Sequence, residues 1–215
     1  MTLILRRLMI SLPSGPLIRP FDVEIGDGEI VTLMGPSGSG KSSLLALIAG
    51  DLEPPLAGRG TIISGADDIS GLPPERRRIG RLFQDDLLFP HLTAAENLLF
   101  GMPRGDWKQR LAAIRDALAS AGLEGFEARP PHTLSGGQRA RVSVLRSLLA
   151  GPRAMLLDEP FNKLDAALRR DFRTFVFDHL TARGTPTLLV THDRGDARDL
   201  GRILTIAPDG EVRDD

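Results

Sequence analysis

Eight successive residues, Gly35-Pro36-Ser37-Gly38-Ser39-Gly40-Lys41-Ser42, have the composition of a polyphosphate cradle. The glycines let the backbone wrap, so that successive N–H groups can point at phosphate oxygens. Lys41 supplies a mobile cation to the β- and γ-phosphates, and the Ser42 hydroxyl can ligate Mg²⁺. A second set of groups closes the stretch Ala154-Met155-Leu156-Leu157-Asp158-Glu159. Two carboxylates after an apolar run stand where ligands bind in open parallel sheets. Asp158 can hold Mg²⁺ directly or through water, and Glu159 can polarise an attacking water as general base. A third segment, Leu134-Ser135-Gly136-Gly137-Gln138, offers an N-cap serine followed by two glycines that expose backbone amides. It reads as a second anion site at a helix N-terminus. One chain has no use for two γ-phosphate sites unless they serve different nucleotides.

The elements around these residues give them the required context. Ile30-Val31-Thr32-Leu33-Met34 is a continuous apolar run, as in a sheet buried on both faces, and it leads into the phosphate cradle. Ser42–Ala49 follows as a helix, with Gly50 as its stop. That strand–loop–helix setting is the one the cradle needs. Strands are also predicted at Leu3–Ile10, Phe21–Ile25, Thr61–Ile63, Ile79–Phe83, 154–157, Thr187–Thr191 and Ile203–Ile206. The start, Met1 to Arg7, reads as an edge strand. Trp107, Leu111, Ile114 and Leu118 share one helical face that ends at Gly122, and Val142, Leu145 and Leu149 share another. Leu164, Leu168, Phe172, Phe175 and Val176 mark one face of a further helix. Strands alternating with helices predict an α/β fold with a mainly parallel sheet. Residues 1–83 and 151–215 are expected to make a β subdomain plus nucleotide-binding core, and 84–150 an inserted helical subdomain.

Taken in order, the phosphate loop, Gln84, Leu134–Gln138, Asp158-Glu159, Leu164-Asp165 and His192 resemble the ABC ATPases over essentially the whole chain. The resemblance implies a P-loop NTPase (RecA-like) core, an N-terminal antiparallel β subdomain and an inserted α-helical subdomain. It also implies ATP and Mg²⁺ as ligands, with ATP held by residues 35–43, Ser43 included. Ser135, Gly136, Gly137 and Gln138 of one subunit would cap the ATP of the other in a head-to-tail homodimer, and Asp165 would cross that interface. Gln84 resembles the glutamine that senses Mg²⁺ and the water. His192, in Val190-Thr191-His192-Asp193, resembles the histidine that contacts the γ-phosphate. Catalysis would then rest on Glu159, His192, Gln84 and Lys41, and the metal on Ser42, Gln84 and Asp158. His91, His132 and His179 fall outside the motifs and read as structural.

Phe89-Pro90-His91-Leu92-Thr93-Ala94-Ala95-Glu96-Asn97 and Asp158-Glu159-Pro160-Phe161 are similar to bacterial importers of the thiamine, sulfate, polyamine and ferric-ion type. The implied partners are an integral-membrane permease and, indirectly, a periplasmic or external substrate-binding protein. The implied location is the cytoplasmic face of the plasma membrane. A groove near 84–92, with Phe83, Leu87, Leu88 and Phe89, would receive a permease helix. The alternatives are a soluble ABC ATPase of DNA repair or translation and an exporter subunit. A short helical lobe, one phosphate loop and no basic tract argue against the soluble type. The chain ends soon after its last strand, so no C-terminal regulatory domain is expected.

Two positions depart from the family pattern. With no tyrosine in the chain, Leu12 or Pro13 falls near the place of the adenine-stacking aromatic. Weak discrimination between ATP and GTP follows. Asn162-Lys163-Leu164-Asp165 stands where Ser-Ala-Leu-Asp is common.

Composition narrows the classes further. The 215 residues carry a net charge of −1, so nothing points to nucleic acid as a partner. With no cysteine, disulfides and Cys-ligated metals are excluded. No apolar run approaches the roughly 20 residues a membrane-spanning helix needs, and Met1–Arg7 lacks the order of a signal peptide.

Overall fold

The structure is a computed structural model that describes residues 1–83, 85–162, 164, 166–197 and 201–214. Along the chain run β1 (Leu3–Leu12), β2 (Gly15–Ile25), β3 (Ile30–Met34), α1 (Lys41–Ala49), β4 (Ala57–Ser64), β5 (Asp67–Asp68), α2 (Pro74–Arg77) and β6 (Ile79–Leu82). They are followed by α3 (Ala94–Gly101), α4 (Trp107–Ser120), a 3₁₀ turn (Pro131–Thr133), α5 (Gly136–Leu149) and β7 (Ala154–Asp158). The chain closes with α6 (Ala166–Ala182), β8 (Thr187–Val190), α7 (Arg194–Ala197), β9 (Arg202–Ile206) and β10 (Val212–Asp214). They divide into two units, one of residues 1–81, 153–159 and 179–215, the other of 82–152 and 160–178.

The first unit holds the sheets. An antiparallel sheet has the order β2-β1-β4-β5, and a second sheet the order β10-β9-β3-β8-β7-β6. β3 runs parallel to β8 and β9, and β7 parallel to β8, while β10 returns antiparallel along β9. Every residue of β3 and β8 is buried, which explains why Thr32 and Thr187 are their only polar residues. A parallel β3–β8–β7 order sets the C-terminal ends of β3 and β7 side by side with β8 between them. The residues following those strands therefore converge at one edge. Leu3, Leu5, Ile18, Val23, Leu33, Leu44, Ile48, Leu156, Val190 and Ile206 belong to one buried cluster that unites the sheets with α1.

Several elements differ from the sequence reading. β1 is no edge strand: it pairs with β2 on one side and β4 on the other. Its alternating burial reflects one covered face of the sheet and carries no information about pairing partners. β2 begins at Gly15 rather than Phe21 and stands at an edge of its sheet, a position that tolerates Pro16 and Pro20. β4 likewise extends back to Ala57. Pairing, not composition, defines these ends.

The second unit packs α3, α4 and α5 around Ala94, Leu98, Ile114, Leu118, Leu134, Val142 and Leu145. α3 opens with a capping box between Thr93 and Glu96. Fully buried Asn97 of α3 holds the preceding turn. Its Oδ1 accepts from Phe89 N at 2.8 Å, and its Nδ2 donates to the carbonyls of Phe89, Leu92 and Thr93. Two arginines of α5 bind the same segment: Arg139 Nε donates to Asp86 at 2.9 Å, and Arg146 Nη1 to Leu87 O at 2.8 Å. Trp107, expected on the buried face of α4, is exposed instead. It is the first residue of the helix, next to the Asp106 cap, about two turns short of where Ile114 enters the core. Leu164 precedes α6, so the buried face of that helix begins later and centres on Phe172 and Val176. Phe161 packs edge-on against Phe172 with centroids 5.9 Å apart. Among the described residues no helix is long and apolar enough to cross a membrane.

Candidate active site

A cleft of about 810 Å³ lies in the first unit, lined by Gly35–Gly38, Gly40–Ser43, Glu159 and His192 on its polar side. Leu12, Leu17, Pro55 and Leu56 line the rest. The loop after β3 turns into α1 at Gly40, whose φ of 93° is left-handed. A Cβ there would stand 3.0 Å from the Leu17 side chain as well, so both conformation and space call for glycine. Gly40 caps α1 without a side-chain hydrogen bond, and the first turn of the helix carries no acidic residue. That leaves an anion site with the positive end of the helix dipole behind it. Lys41 is only 8% exposed. Its Nζ donates to the carbonyls of Gly35 at 2.9 Å and Pro36 at 2.8 Å, so its charge sits within the loop's own curl.

The neighbouring strands bring the carboxylates to the loop. Ser42 Oγ donates to Asp158 Oδ1 at 3.1 Å, joining the first turn of α1 to the end of β7. Glu159, the next residue, has a φ of 47°. A non-glycine residue in this region carries strain, and such positions concentrate at functional sites. The Glu159 N–H donates to Val190 O at 3.0 Å, tying the strained residue to the end of β8. Its Oε1 lies 3.1 Å from His192 Nδ1. His192 follows Thr191, a fully buried residue whose hydroxyl donates to Asp196 at 3.0 Å and accepts from the Asp193 N–H at 3.1 Å. Gly195 N–H then donates to Asp193 at 2.7 Å. This folded turn after β8 fixes the backbone on which His192 is carried, while the imidazole remains exposed toward the cleft.

The fold therefore brings together Gly35–Ser43, Asp158, Glu159 and His192. Ser135, Gly136, Gly137 and Gln138 belong to the second unit. There Ser135 caps α5 in a capping box: its Oγ accepts from Gln138 N–H at 3.3 Å, and its own N–H donates to Gln138 Oε1 at 2.9 Å. Gln84 and Asp165, with Lys163 of the Asn162–Asp165 departure, lie outside the described residues. Sequence reasoning missed Leu17, Pro55 and Leu56 as cleft walls, since they come from a hairpin strand and a Pro/Gly loop with no motif. Of Leu12 and Pro13, Leu12 lines the cleft. It also missed Arg81, whose Nη2 is 3.7 Å from Asp158 Oδ2. The available signal was a cation inside the otherwise apolar run Ile79–Phe83, since a charge in a buried strand needs a partner.

Of the four residues expected to form an apolar docking groove, Phe83 and Leu87 are exposed, Leu87 by 54%. Leu88 and Phe89 are half-buried, Leu88 against the α3–α5 core. Phe100 and Trp107 of the same unit are exposed as well.

Residues 18–162 match the family model described as "ABC transporter". The chain is 43% identical over 208 residues to the uncharacterized ABC transporter ATP-binding protein YnjD of Escherichia coli, covering 95% of each chain. It is 40% identical over 199 residues to the sulfate/thiosulfate import ATP-binding protein CysA 2 of Agrobacterium fabrum, where the match takes in 91% of this chain and 58% of that one. The chain thus spans nearly all of one relative and little more than half of the other. Among solved structures, the dimeric post-hydrolysis state of the ATP-binding cassette MJ0796 bound to ADP and Pi superposes with a TM-score of 0.78. The two are 31% identical, and the superposition covers 99% of this chain and 97% of that one. With a glycine-rich loop leading into α1, paired carboxylates at a parallel strand end and a match over most of its length, the chain belongs to the ABC transporter family as an ATP-binding, ATP-hydrolysing member.

Proposed function

We propose that the chain binds Mg-ATP between two head-to-tail copies of itself and couples hydrolysis to solute import through a separate membrane permease. The observation that carries this reading is the convergence of Lys41, Ser42, Glu159 and His192 on one cleft, with Asp158 bonded to Ser42, while the capped helix N-terminus Ser135–Gly137 belongs to the other unit. In this reading a second copy supplies that N-terminus to the nucleotide. Ser42 and Asp158 form a pair of hard oxygen ligands 3.1 Å apart, a donor set that suits Mg²⁺. When bound, the ion neutralises charge on the phosphoryl group being transferred.

The chain's own residues do the rest. The loop amides and α1 hold the β- and γ-phosphates, and Lys41 turns from the Gly35 and Pro36 carbonyls onto them. Glu159, held by Val190 O, orients a water for attack, and His192 steadies both Glu159 and the γ-phosphate. Gln84 is assigned to metal and water sensing, and Asp165 to the dimer interface. Charge developing on the phosphoryl group meets donors already in position, which is the main source of rate in such transfers. Phosphate loss then weakens the grip and the copies part. The exposed Phe83 and Leu87, beside a turn locked by Asn97, Arg139 and Arg146, are the surface we assign to the permease helix. An external substrate-binding protein would act through that permease, with this subunit on the cytoplasmic face. Import is supported by the name of the sulfate/thiosulfate relative.

The test is sedimentation of Glu159→Gln with Mg-ATP alongside hydrolysis by the wild type as a function of concentration. A dimer of the variant and a rate rising faster than linearly are expected. A variant that stays monomeric, with a wild-type rate linear in concentration, overturns the shared site.

A further inference from the structure

The guanidinium of Arg81 stands between two carboxylates. Nη1 donates to Asp51 Oδ2 at 2.8 Å, and Nη2 lies 3.7 Å from Asp158 Oδ2. The second distance is a charge contact rather than a hydrogen bond. The side chains of Arg81 and Asp158 are 16% and 17% exposed, that of Asp51 47%. The other oxygen of Asp158, Oδ1, accepts from Ser42. The four residues thus form a chain, Ser42–Asp158–Arg81–Asp51, in which the two oxygens of Asp158 face different partners. The positions follow from the fold. β6, which carries Arg81, is the neighbour of β7, which ends in Asp158, and Asp51 comes directly after the Gly50 cap of α1.

We propose that Arg81 is a positioning residue that sets how strongly the Ser42–Asp158 pair holds Mg²⁺, and that Asp51 sets how much of the Arg81 charge Asp158 feels. The inference rests on the metal role assigned to Asp158 above. A carboxylate that shares its charge with a guanidinium attracts a divalent cation less, and the effect is sizeable at this separation because both groups are largely out of water. Asp51 draws the guanidinium away and offsets its charge. The two neighbours therefore act in opposite directions. Without Arg81 the metal is held more tightly; without the Asp51 charge Arg81 weighs more heavily on Asp158 and the metal is held less tightly. A purely architectural pair would weaken the site in both variants.

The experiment measures the affinity of the full chain for a fluorescent ADP analogue in millimolar Mg²⁺ and in EDTA. The ratio of the two is the readout, because it reports coupling between metal and nucleotide independently of hydrolysis. Arg81→Met is expected to raise the ratio by about threefold to tenfold, Asp51→Asn to lower it by a similar factor, and Arg81→Lys to stay near the wild type. Thermal unfolding checks that each variant is folded, and Asp51→Asn changes a half-exposed side chain, so it remains informative should Arg81→Met fail to fold. Ratios that fall in both variants, or that do not move in Asp51→Asn, overturn the proposal. Asp158→Asn separates the levels. If it collapses the ratio while Arg81→Met and Asp51→Asn leave it unchanged, the tuning fails and the metal site stands. If it leaves the ratio intact, the metal role of Asp158 fails and the tuning with it.

Discussion

Replacing Arg77 by methionine should be among the most damaging single changes away from the cleft. The side chain is 6% exposed, and its guanidinium donates to four main-chain carbonyls. Two of them, Leu47 and Ile48 at 2.8 and 2.9 Å, are in the last turn of α1, where carbonyls have no helical partner. The others, Leu72 and Ser70 at 2.7 Å each, belong to the segment leading into α2. Burial pulls the Arg77 pKa below its ordinary value, with the Asp51 charge opposing, so the site is costly for a cation and returns that cost only through these bonds. An unsatisfied buried acceptor costs about 1–3 kcal/mol. Most of these four are only partly buried and can recover some hydration, so the low end applies to each, giving a loss of about 4 kcal/mol. In a chain of this size that corresponds to a fall in Tm of about 8–15 °C. Calorimetry of wild type and variant measures it. Gly50 sharpens the case. It ends α1 at a φ of 93°, and a Cβ there would lie 2.6 Å from Arg77 Nε. Gly50→Ala is therefore destabilising both by backbone strain and by displacing the guanidinium, and the second part should vanish once Arg77 is gone. A loss below about 1 kcal/mol for Arg77→Met, or strict additivity with Gly50→Ala, would refute the claim that this guanidinium closes the end of the helix.

Glu159→Gly should separate stability from activity. Relieving the φ of 47° is expected to raise Tm by about 1–3 °C, from a gain of roughly 0.5–1 kcal/mol, while hydrolysis falls by about 10² or more as the general base is lost. A lower Tm would mean that the residue is not strained. Competition between ATP and GTP tests the apolar wall of the cleft. Leu12, Leu17, Pro55 and Leu56 offer contact but no aromatic face, so affinities within about tenfold of each other are expected, and a hundredfold preference for ATP would rule that out.

How far the fold could be read in advance varied with the locality of the signal. β3 and β8 are buried along their whole length, and short, mostly apolar runs announce both of them. Gly50 ends α1 as its sequence implied, because helix termination by a left-handed glycine is a property of a few adjacent residues. The failures involve partners remote in sequence. Nothing in the ten residues of β1 shows that β4, some fifty positions later, pairs with its second side, so its sequence looks like that of an edge. Trp107 fitted the helical period of its neighbours, yet periodicity cannot show where along a helix the core ends.

The site divides along the same line. The sequence alone determined the glycine-rich loop ahead of α1, the paired carboxylates and the capped Ser135–Gln138 turn, because each is built from contiguous residues whose chemistry is local. It also determined the family, since the order of those motifs along the chain is itself a sequence property. Only the tertiary structure decided that Ser42 meets Asp158 across 116 positions, that His192 rests on Glu159, and that Arg81 stands between Asp51 and Asp158. Those pairings depend on the strand order β3-β8-β7-β6, which is set by the burial of whole strands against one another; a cation such as Arg81 in an apolar run signals that a partner is needed, but nothing local says which one.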